Sequence, residues 1–244
     1  MGEVYGYGIS SGPFYNFSDK KVNYFDKAFQ SLINFEFKWN AKQLPNYETL
    51  FASYASTLQT KLKGNSVLNY LSSHDDGQPF DPERKRGFEA ATKLFLTPGI
   101  SQIYYGDELA RPLVVNQAKG DANLRSNMPW NTISDGSTKT LLTHWQKLGS
   151  FRKNHPAIGA GQHAIISEEP YVFRRVYAKD DYKDSVVIGL DLPKGNKTID
   201  VSSVFSDGTI VRDAYSGEET KVVKGAVHLE NKHSIVLLEK GANN

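Results

Sequence analysis

The chain has 244 residues, with 29 Lys and Arg against 27 Asp and Glu, a formal charge of +2 and no cysteine. That length suits one large domain or two ordinary ones, while the balanced, scattered charge gives no field for nucleic acid or an anionic membrane. The missing thiols exclude disulfides, iron–sulfur clusters, thiolate zinc sites and cysteine nucleophiles. No apolar run approaches the ~18–20 residues of a bilayer span, and Met1–Tyr5 lacks the basic and apolar regions of a secretion signal, so a soluble chain is expected.

Residues 1–12 read as a strand end that dissolves into a glycine-rich loop. Leu32–Phe37 ends in strand-like alternation, and Pro45-Asn46 then opens a helix carrying Leu50, Tyr54, Leu58 and Leu62 at i+4 spacing, closed by Gly64. Ser66–Leu71 reads as a buried strand followed by the polar turn Ser72-Ser73-His74-Asp75-Asp76-Gly77. Asp81-Pro82 has the form of an N-cap with proline at the first helical position, leading into a stripe of Phe88, Ala91, Leu94 and Phe95. Pro98-Gly99 stops that helix before a strand over Ile100–Tyr105. Alternating strands and helices predict parallel βαβ units. The long polar loop after Glu108 suggests a binding or functional duty, and Leu141, Leu142, Trp145, Leu148 and Phe151 mark one more amphipathic helix.

Beyond Asn154-His155-Pro156 the pattern changes to short β runs, Tyr171–Tyr177, Ser185–Leu192, Thr209–Asp213, Lys221–Val223 and Ser234–Glu239, separated by turns. The sequence therefore predicts an α/β domain over 1–159 and an antiparallel β-sandwich over 160–244, packed on the last helix through Trp145, Leu148 and Phe151.

Ligands in parallel α/β folds bind where strands end at their carboxyl side. That rule nominates Glu3 with Val4-Tyr5, then His74-Asp75-Asp76, then Tyr104–Glu108. Carboxylates meeting across one pocket are the raw material of a glycosidase, yet Asp75 and Asp76 read equally well as turn formers, Glu3 as solvated surface and Tyr104-Tyr105 as packing. His144, His155, His163, His228 and His233 are too scattered to suggest a metal site. No G-x-G-x-x-G or G-x-S-x-G motif supports phosphate cradling or a serine hydrolase.

Four segments in order resemble the catalytic half of an α-amylase family glycoside hydrolase: Gly2-Glu3-Val4-Tyr5, Tyr70–Asp75, Pro98–Glu108, and Leu124-Arg125-Ser126-Asn127-Met128-Pro129-Trp130. Gly6-Tyr7-Gly8, Leu71–Asp75 and His155–Gly159 are similar to a bacterial periplasmic branch. The resemblance implies the second half of a (β/α)8 barrel, strands five to eight, followed by the family's β-sandwich. It implies a retaining hydrolase of α-1,4-glucans such as starch and maltodextrin, with Glu3 as general acid/base and Asp75 holding ring hydroxyls. His74, Tyr5, Tyr7, Tyr104 and Trp130 would bind the sugar.

The family's nucleophile is an aspartate two residues after an arginine, on a strand before the acid. Arg212-Asp213-Ala214 is a faint echo in the wrong place. The chain is therefore expected to be a fragment without nucleophile, inactive alone. Calcium is expected in the full-length enzyme but from no ligands here, and a periplasmic or secreted location is expected for that enzyme. The expected partners are an α-glucan and either a second copy of the chain or a missing N-terminal half. The competing reading is a noncatalytic α-glucan-binding or self-associating half-barrel module.

Overall fold

The computed structural model describes residues 1–241 apart from Pro45, Asp76 and Asn116, with every side chain among them but that of Asp121. The chain divides into two compact units, Met1–Gly149 and Ser150–Asn244. That division falls ten residues before the boundary read from the glycines at 159–161.

Unit 1 begins with an isolated parallel bridge between Gly2 and Leu32. A hairpin of β1 (Phe14–Phe17) and β2 (Lys20–Asn23) follows, then β3 (Ser31–Asn34), α1 (Phe37–Gln43), α2 (Tyr47–Gln59) and β4 (Ser66–Asn69). Next come α3 (Gly87–Leu96), β5 (Ile100–Ser101) and α4 (Gly136–Asn154), whose last residues belong to the second unit. Strands β3, β4 and β5 pair in parallel in that order, with Asn34 opposite Asn69 and Asn69 opposite Ser101. The expected parallel pattern is present.

Several local details differ from the sequence reading. Phe37 begins α1 rather than ending a strand, because Phe37 and Ala41, one helical turn apart, are both buried while Phe35 is only half-buried. The α2 N-cap is Asn46, whose side chain accepts from the Thr49 amide at 2.8 Å; the Pro45 beside it lies outside the described residues. Asp81 is no cap of α3: its carboxylate accepts from the amides of Lys85 and Arg86 at 3.0 and 2.7 Å, closing a separate turn before the helix starts at Gly87. The strand expected over 100–105 is two residues long; a 3-10 turn at Asp107–Leu109 opens the loop that follows, which carries further 3-10 turns at Gly120–Leu124 and Trp130–Thr132.

Unit 2 opens with the end of α4 and the short α5 (Pro156–Ala160). Its strands are β6 (Gln162–Ser167), β7 (Tyr171–Lys179), β8 (Tyr182–Leu190), β9 (Gly195–Asp200), β10 (Ile210–Asp213), β11 (Glu219–Lys221), β12 (Ala226–Asn231) and β13 (Val236–Lys240). They form a six-stranded antiparallel sheet in the order β11-β10-β13-β8-β7-β6 and a ribbon of β12 with β9. Ile199, Val227 and Leu229 of the ribbon share one apolar cluster with Val187, Val211 and Leu238 of the larger sheet, so the two layers enclose the core of a sandwich. Within unit 1, the Trp145 ring lies 5.5 Å from Phe95 and its Nε1 donates to the Gly87 carbonyl at 3.2 Å. Phe151 packs in unit 2 against His155, 4.5 Å between ring centres.

Candidate active site

Parallel pairing sends four segments out of the unit 1 sheet at one end: Glu3–Tyr5 after the Gly2 bridge, Phe35-Glu36 after β3, Tyr70–Asp75 after β4 and Gln102–Tyr105 after β5. Glu3 and Asp75 are not on adjacent strands, since β3 lies between them. An aromatic row crosses this end, with Tyr5 against Phe35 at 5.5 Å and Phe35 against Tyr70 at 5.9 Å, both edge to face.

A buried polar layer fixes the strands beneath. Asn34 Nδ2 donates to Asn69 Oδ1 at 2.8 Å and to Tyr54 Oη at 3.0 Å, while Asn69 Nδ2 donates to the Pro98 carbonyl at 2.9 Å. Glu36 is occupied in structure: its carboxylate takes the Ser10 hydroxyl at 2.7 Å and Asn40 Nδ2 at 2.9 Å.

His74 and Asp75 are exposed and pair directly, His74 Nε2 to Asp75 Oδ2 at 2.9 Å. The other Asp75 oxygen accepts from Arg125 Nη2 at 3.1 Å, fifty residues along the chain. The third residue of the motif, Asp76, lies outside the described residues. Just before the pair, Ser72 Oγ donates to Asp107 Oδ2 at 2.5 Å, and Asp107 Oδ1 accepts from Arg84 Nη2 at 2.7 Å. Burial raises the Asp107 pKa, against the lowering influence of Arg84 and the Ser72 hydroxyl. Leu71, Ser72, Phe80, Asp81, Arg84 and Asp107 are among the residues lining a small cavity of about 10 Å³, room for about one water, which Glu3, His74 and Asp75 do not line.

Glu3 is exposed, and its carboxylate has no hydrogen-bond or ion-pair partner among the described residues. Tyr5 and Trp130 present their rings to solvent, at 87% and 70% exposure. This end of the sheet thus gathers a carboxylate with no partner among the described residues, a carboxylate held between imidazole and guanidinium, and the exposed ring of Tyr5. Such a set can protonate an oxygen, grip hydroxyls and stack on a sugar ring.

Over 180 residues the chain is 34% identical to the periplasmic alpha-amylase of Escherichia coli (strain K12), a match covering 73% of this chain and 24% of that protein. The chain belongs to the α-amylase family of glycoside hydrolases. A cyclomaltodextrinase from a Bacillus species is 24% identical over 147 residues, 59% of this chain and 25% of that protein. Among solved structures, the alpha-amylase of Geobacillus thermoleovorans complexed with acarbose aligns with 98% of this chain and 53% of its own, at TM-score 0.63 and 14% identity. An Anoxybacillus alpha-amylase aligns with 91% of this chain and 50% of its own, at TM-score 0.56 and 20% identity. No protein-family model matches. The chain spans about a quarter of the length of the curated relatives it matches.

Two of the aromatic residues assigned to sugar binding by the α-amylase resemblance are not at a surface. Tyr7 is fully buried, its hydroxyl donating to the Gly12 carbonyl at 2.8 Å and its pKa raised by burial and then by Glu36. Tyr104 is buried beneath the later loop, with its hydroxyl committed to the Leu124 carbonyl at 2.6 Å. Neither offers a ring face for stacking. The Arg212-Asp213 echo is a turn of unit 2: Asp213, fully buried, accepts from the amides of Tyr215, Ser216 and Leu237.

Sequence reasoning missed Arg84 and Arg125 as site residues, and reached Asp107 only as part of the nominated stretch Tyr104–Glu108. Arg125 sits in a segment already quoted for its family likeness, which was the available signal. The Arg84–Asp107 pair joins positions 23 apart and has no local motif.

Proposed function

We propose that this chain supplies the acid and sugar-gripping part of a retaining α-amylase-type hydrolase acting on α-1,4-glucans, as strands five to eight of a (β/α)8 barrel with the following β-sandwich. The observation that carries the proposal is the His74–Asp75–Arg125 cluster at the same sheet end as the unpaired Glu3. Glu3 donates a proton to the glycosidic oxygen, and Asp75 accepts hydrogen bonds from ring hydroxyls, more strongly as the ring flattens. His74 donates to the same sugar, while Tyr5 and Trp130 stack on neighbouring units.

A retaining reaction also needs a carboxylate on the opposite face of the anomeric carbon. The sequence contains no Arg-x-Asp triplet, so that group comes from outside these 244 residues. Strands one to four, or a second copy, would cover the sheet. For the calcium that the α-amylase resemblance implies in the full-length enzyme, we place the ligands outside this chain. Likeness to a periplasmic alpha-amylase supports a periplasmic or secreted location.

The test is titration with maltotriose followed by amide shifts, together with release of nitrophenol from a nitrophenyl maltooligosaccharide. The chain alone is expected to bind and not to hydrolyse. Asp75→Asn should weaken binding about ten-fold, the scale of one charge-assisted hydrogen bond, with Glu3→Gln leaving it within about two-fold. Adding a separately expressed first half of a related barrel should yield hydrolysis that Glu3→Gln abolishes. Binding that persists while the supplemented chain stays inactive would favour the noncatalytic glucan-binding reading, for which the exposed Tyr5 and Trp130 speak.

A further inference from the structure

Arg111 is fully buried, yet every hydrogen bond it makes among the described residues goes to an uncharged oxygen. Burying a guanidinium is costly unless its donors are satisfied and a counter-charge is near; the Asp107 carboxylate acts on Arg111 through charge alone, so its hydrogen bonds are free to hold backbone. Here Nε donates to the Tyr105 carbonyl at 2.8 Å, Nη1 to the Ser126 hydroxyl at 2.6 Å and carbonyl at 3.1 Å, and Nη2 to the Leu124 carbonyl at 3.3 Å. The guanidinium plane lies over the Tyr105 ring, 3.8 Å from its centre. One side chain therefore ties the end of the β5 segment to both neighbours of Arg125.

The surroundings are shaped for that side chain. Gly106 has φ +82°, and a Cβ there would meet Arg111 Cβ, Cδ and Nε at 2.6–2.8 Å. The Tyr104 hydroxyl holds the Leu124 carbonyl, the Tyr105 hydroxyl the Ser126 carbonyl at 2.9 Å, and Ser126 Oγ donates to the Pro112 carbonyl. The two backbone positions flanking Arg125 are thus held from below, and Arg125 itself projects outward to Asp75 at 3.1 Å.

We propose that Arg111 is a positioning residue for glucan binding: it staples residues 124–126 to the β5 end and so sets Arg125 against Asp75, fixing the carboxylate that grips the sugar. The staple acts through Arg125 and does not touch sugar itself. This rests on the function proposed above, because only there does the Asp75 orientation matter to a ligand.

The test compares Arg111→Met, Arg111→Lys, Gly106→Ala, Arg125→Gln and the Arg111→Met/Arg125→Gln double variant with the parent chain, by amide hydrogen exchange and maltotriose titration. Arg111→Met should speed exchange of residues 122–130 by about ten-fold or more while the unit 2 strands keep their protection. Gly106→Ala should do the same by displacing the guanidinium, and Arg111→Lys should recover only part of the protection, since an ammonium cannot fork to three carbonyls. Arg125→Gln should leave exchange unchanged. In titration, Arg111→Met and Arg125→Gln should each weaken maltotriose binding about ten-fold and the double variant no further, since both lose one arrangement. Additive losses, or a loss confined to Arg111→Met, would overturn the route through Arg125. Exchange of 122–130 unchanged in Arg111→Met and Gly106→Ala would overturn the staple. A parent chain that binds no maltotriose would overturn the functional reading, and the exchange arm still decides whether the staple exists. If Arg111→Met unfolds, Arg111→Lys and Gly106→Ala carry the same comparison.

Discussion

Asn34 is fully buried with both ends of its amide committed: its oxygen accepts from the Ile9 amide at 3.1 Å and its nitrogen serves Asn69 and Tyr54. Removing one member of such a layer leaves several buried groups unpaired, and each unpaired group costs about 1–3 kcal/mol. Asn34→Ala should therefore destabilise unit 1 by roughly 2–4 kcal/mol in urea unfolding. Asn34→Ala and Asn69→Ala together should cost less than the sum of the single losses by about 1 kcal/mol or more; strict additivity would show that the two amides act separately. At this scale the sequence was least legible. Tyr5, Tyr7 and Tyr104 each lie within two residues of a glycine, and composition gives no means of separating the exposed ring of Tyr5 from the buried pair. What separates them is the Gly12 carbonyl, five residues beyond Tyr7, and the Leu124 carbonyl, twenty beyond Tyr104. Arg111, written beside a proline in a polar stretch, likewise reads as surface.

Two histidines at element junctions respond to pH in opposite senses. His144 of α4 is buried against α3, its Nε2 3.1 Å from the Phe88 carbonyl and 3.2 Å from Thr92 Oγ1, and burial pushes its pKa down to about 4. A depressed histidine stabilises the fold above its free value near 6.5, and the contribution is lost as pH falls toward about 4. His155, between α4 and α5, is also penalised by burial. Its bonds to Asp184 of β8 at 2.8 Å and Glu239 of β13 at 2.7 Å outweigh that and carry it up to about 9. Its contribution is complete below pH 6.5 and disappears as pH rises through about 9. Each effect is on the order of 3 kcal/mol at most. Unit 1 should melt progressively lower from pH 6.5 to 4 and unit 2 from pH 6.5 to 9, resolved by tryptophan fluorescence and by exchange of the β-strand amides. His144→Leu should flatten the first dependence and His155→Gln the second; a unit 2 melting point constant across pH 6.5–9 would refute the His155 arrangement. Elements with strong periodicity, α2, β4, α3 and β7, were readable because their apolar spacing survives in the fold. The β1–β2 hairpin was not, because its turn uses Ser18 at φ +56° in place of the Asn-Gly or Asp-Gly signal. The ribbon strand β9 was hidden because Lys194-Gly195-Asn196 reads as a turn, although Gly195 already pairs with Asn231.

On the scale of the whole molecule, the open question of unit 1 is its sheet. β3, β4 and β5 form a parallel ladder in which β5 contributes two residues and has no further strand beyond it among the described residues. Parallel sheets occur almost only with both faces covered, and closing into a barrel removes free edges altogether. Here the β5 end carries Ile103 at 47% and Tyr105 at 42% exposure, and the Tyr5 ring is open at the other edge of the sheet. Burial is uneven along the rest: Val67 and Leu71, expected to lie partly open in a half-barrel, are covered, whereas Ile33 and Phe35 are half-buried. The exposed set is still an apolar surface flanking unpaired backbone, a combination that recruits another chain. The 244-residue polypeptide should therefore self-associate at micromolar concentration, with a scattering mass that rises with concentration. Ile100→Lys with Ile103→Lys places charge on the edge without touching the Arg111 contacts and should shift the chain toward monomer while leaving its melting point within a few degrees. Association brings together two copies of Glu3 and Asp75 and no new nucleophile, so the assembled form should remain without hydrolytic activity on maltooligosaccharides. A monomer at all concentrations that unfolds cooperatively would refute the edge argument, and glucan cleavage by the associated form would refute the assignment of the nucleophile to another segment.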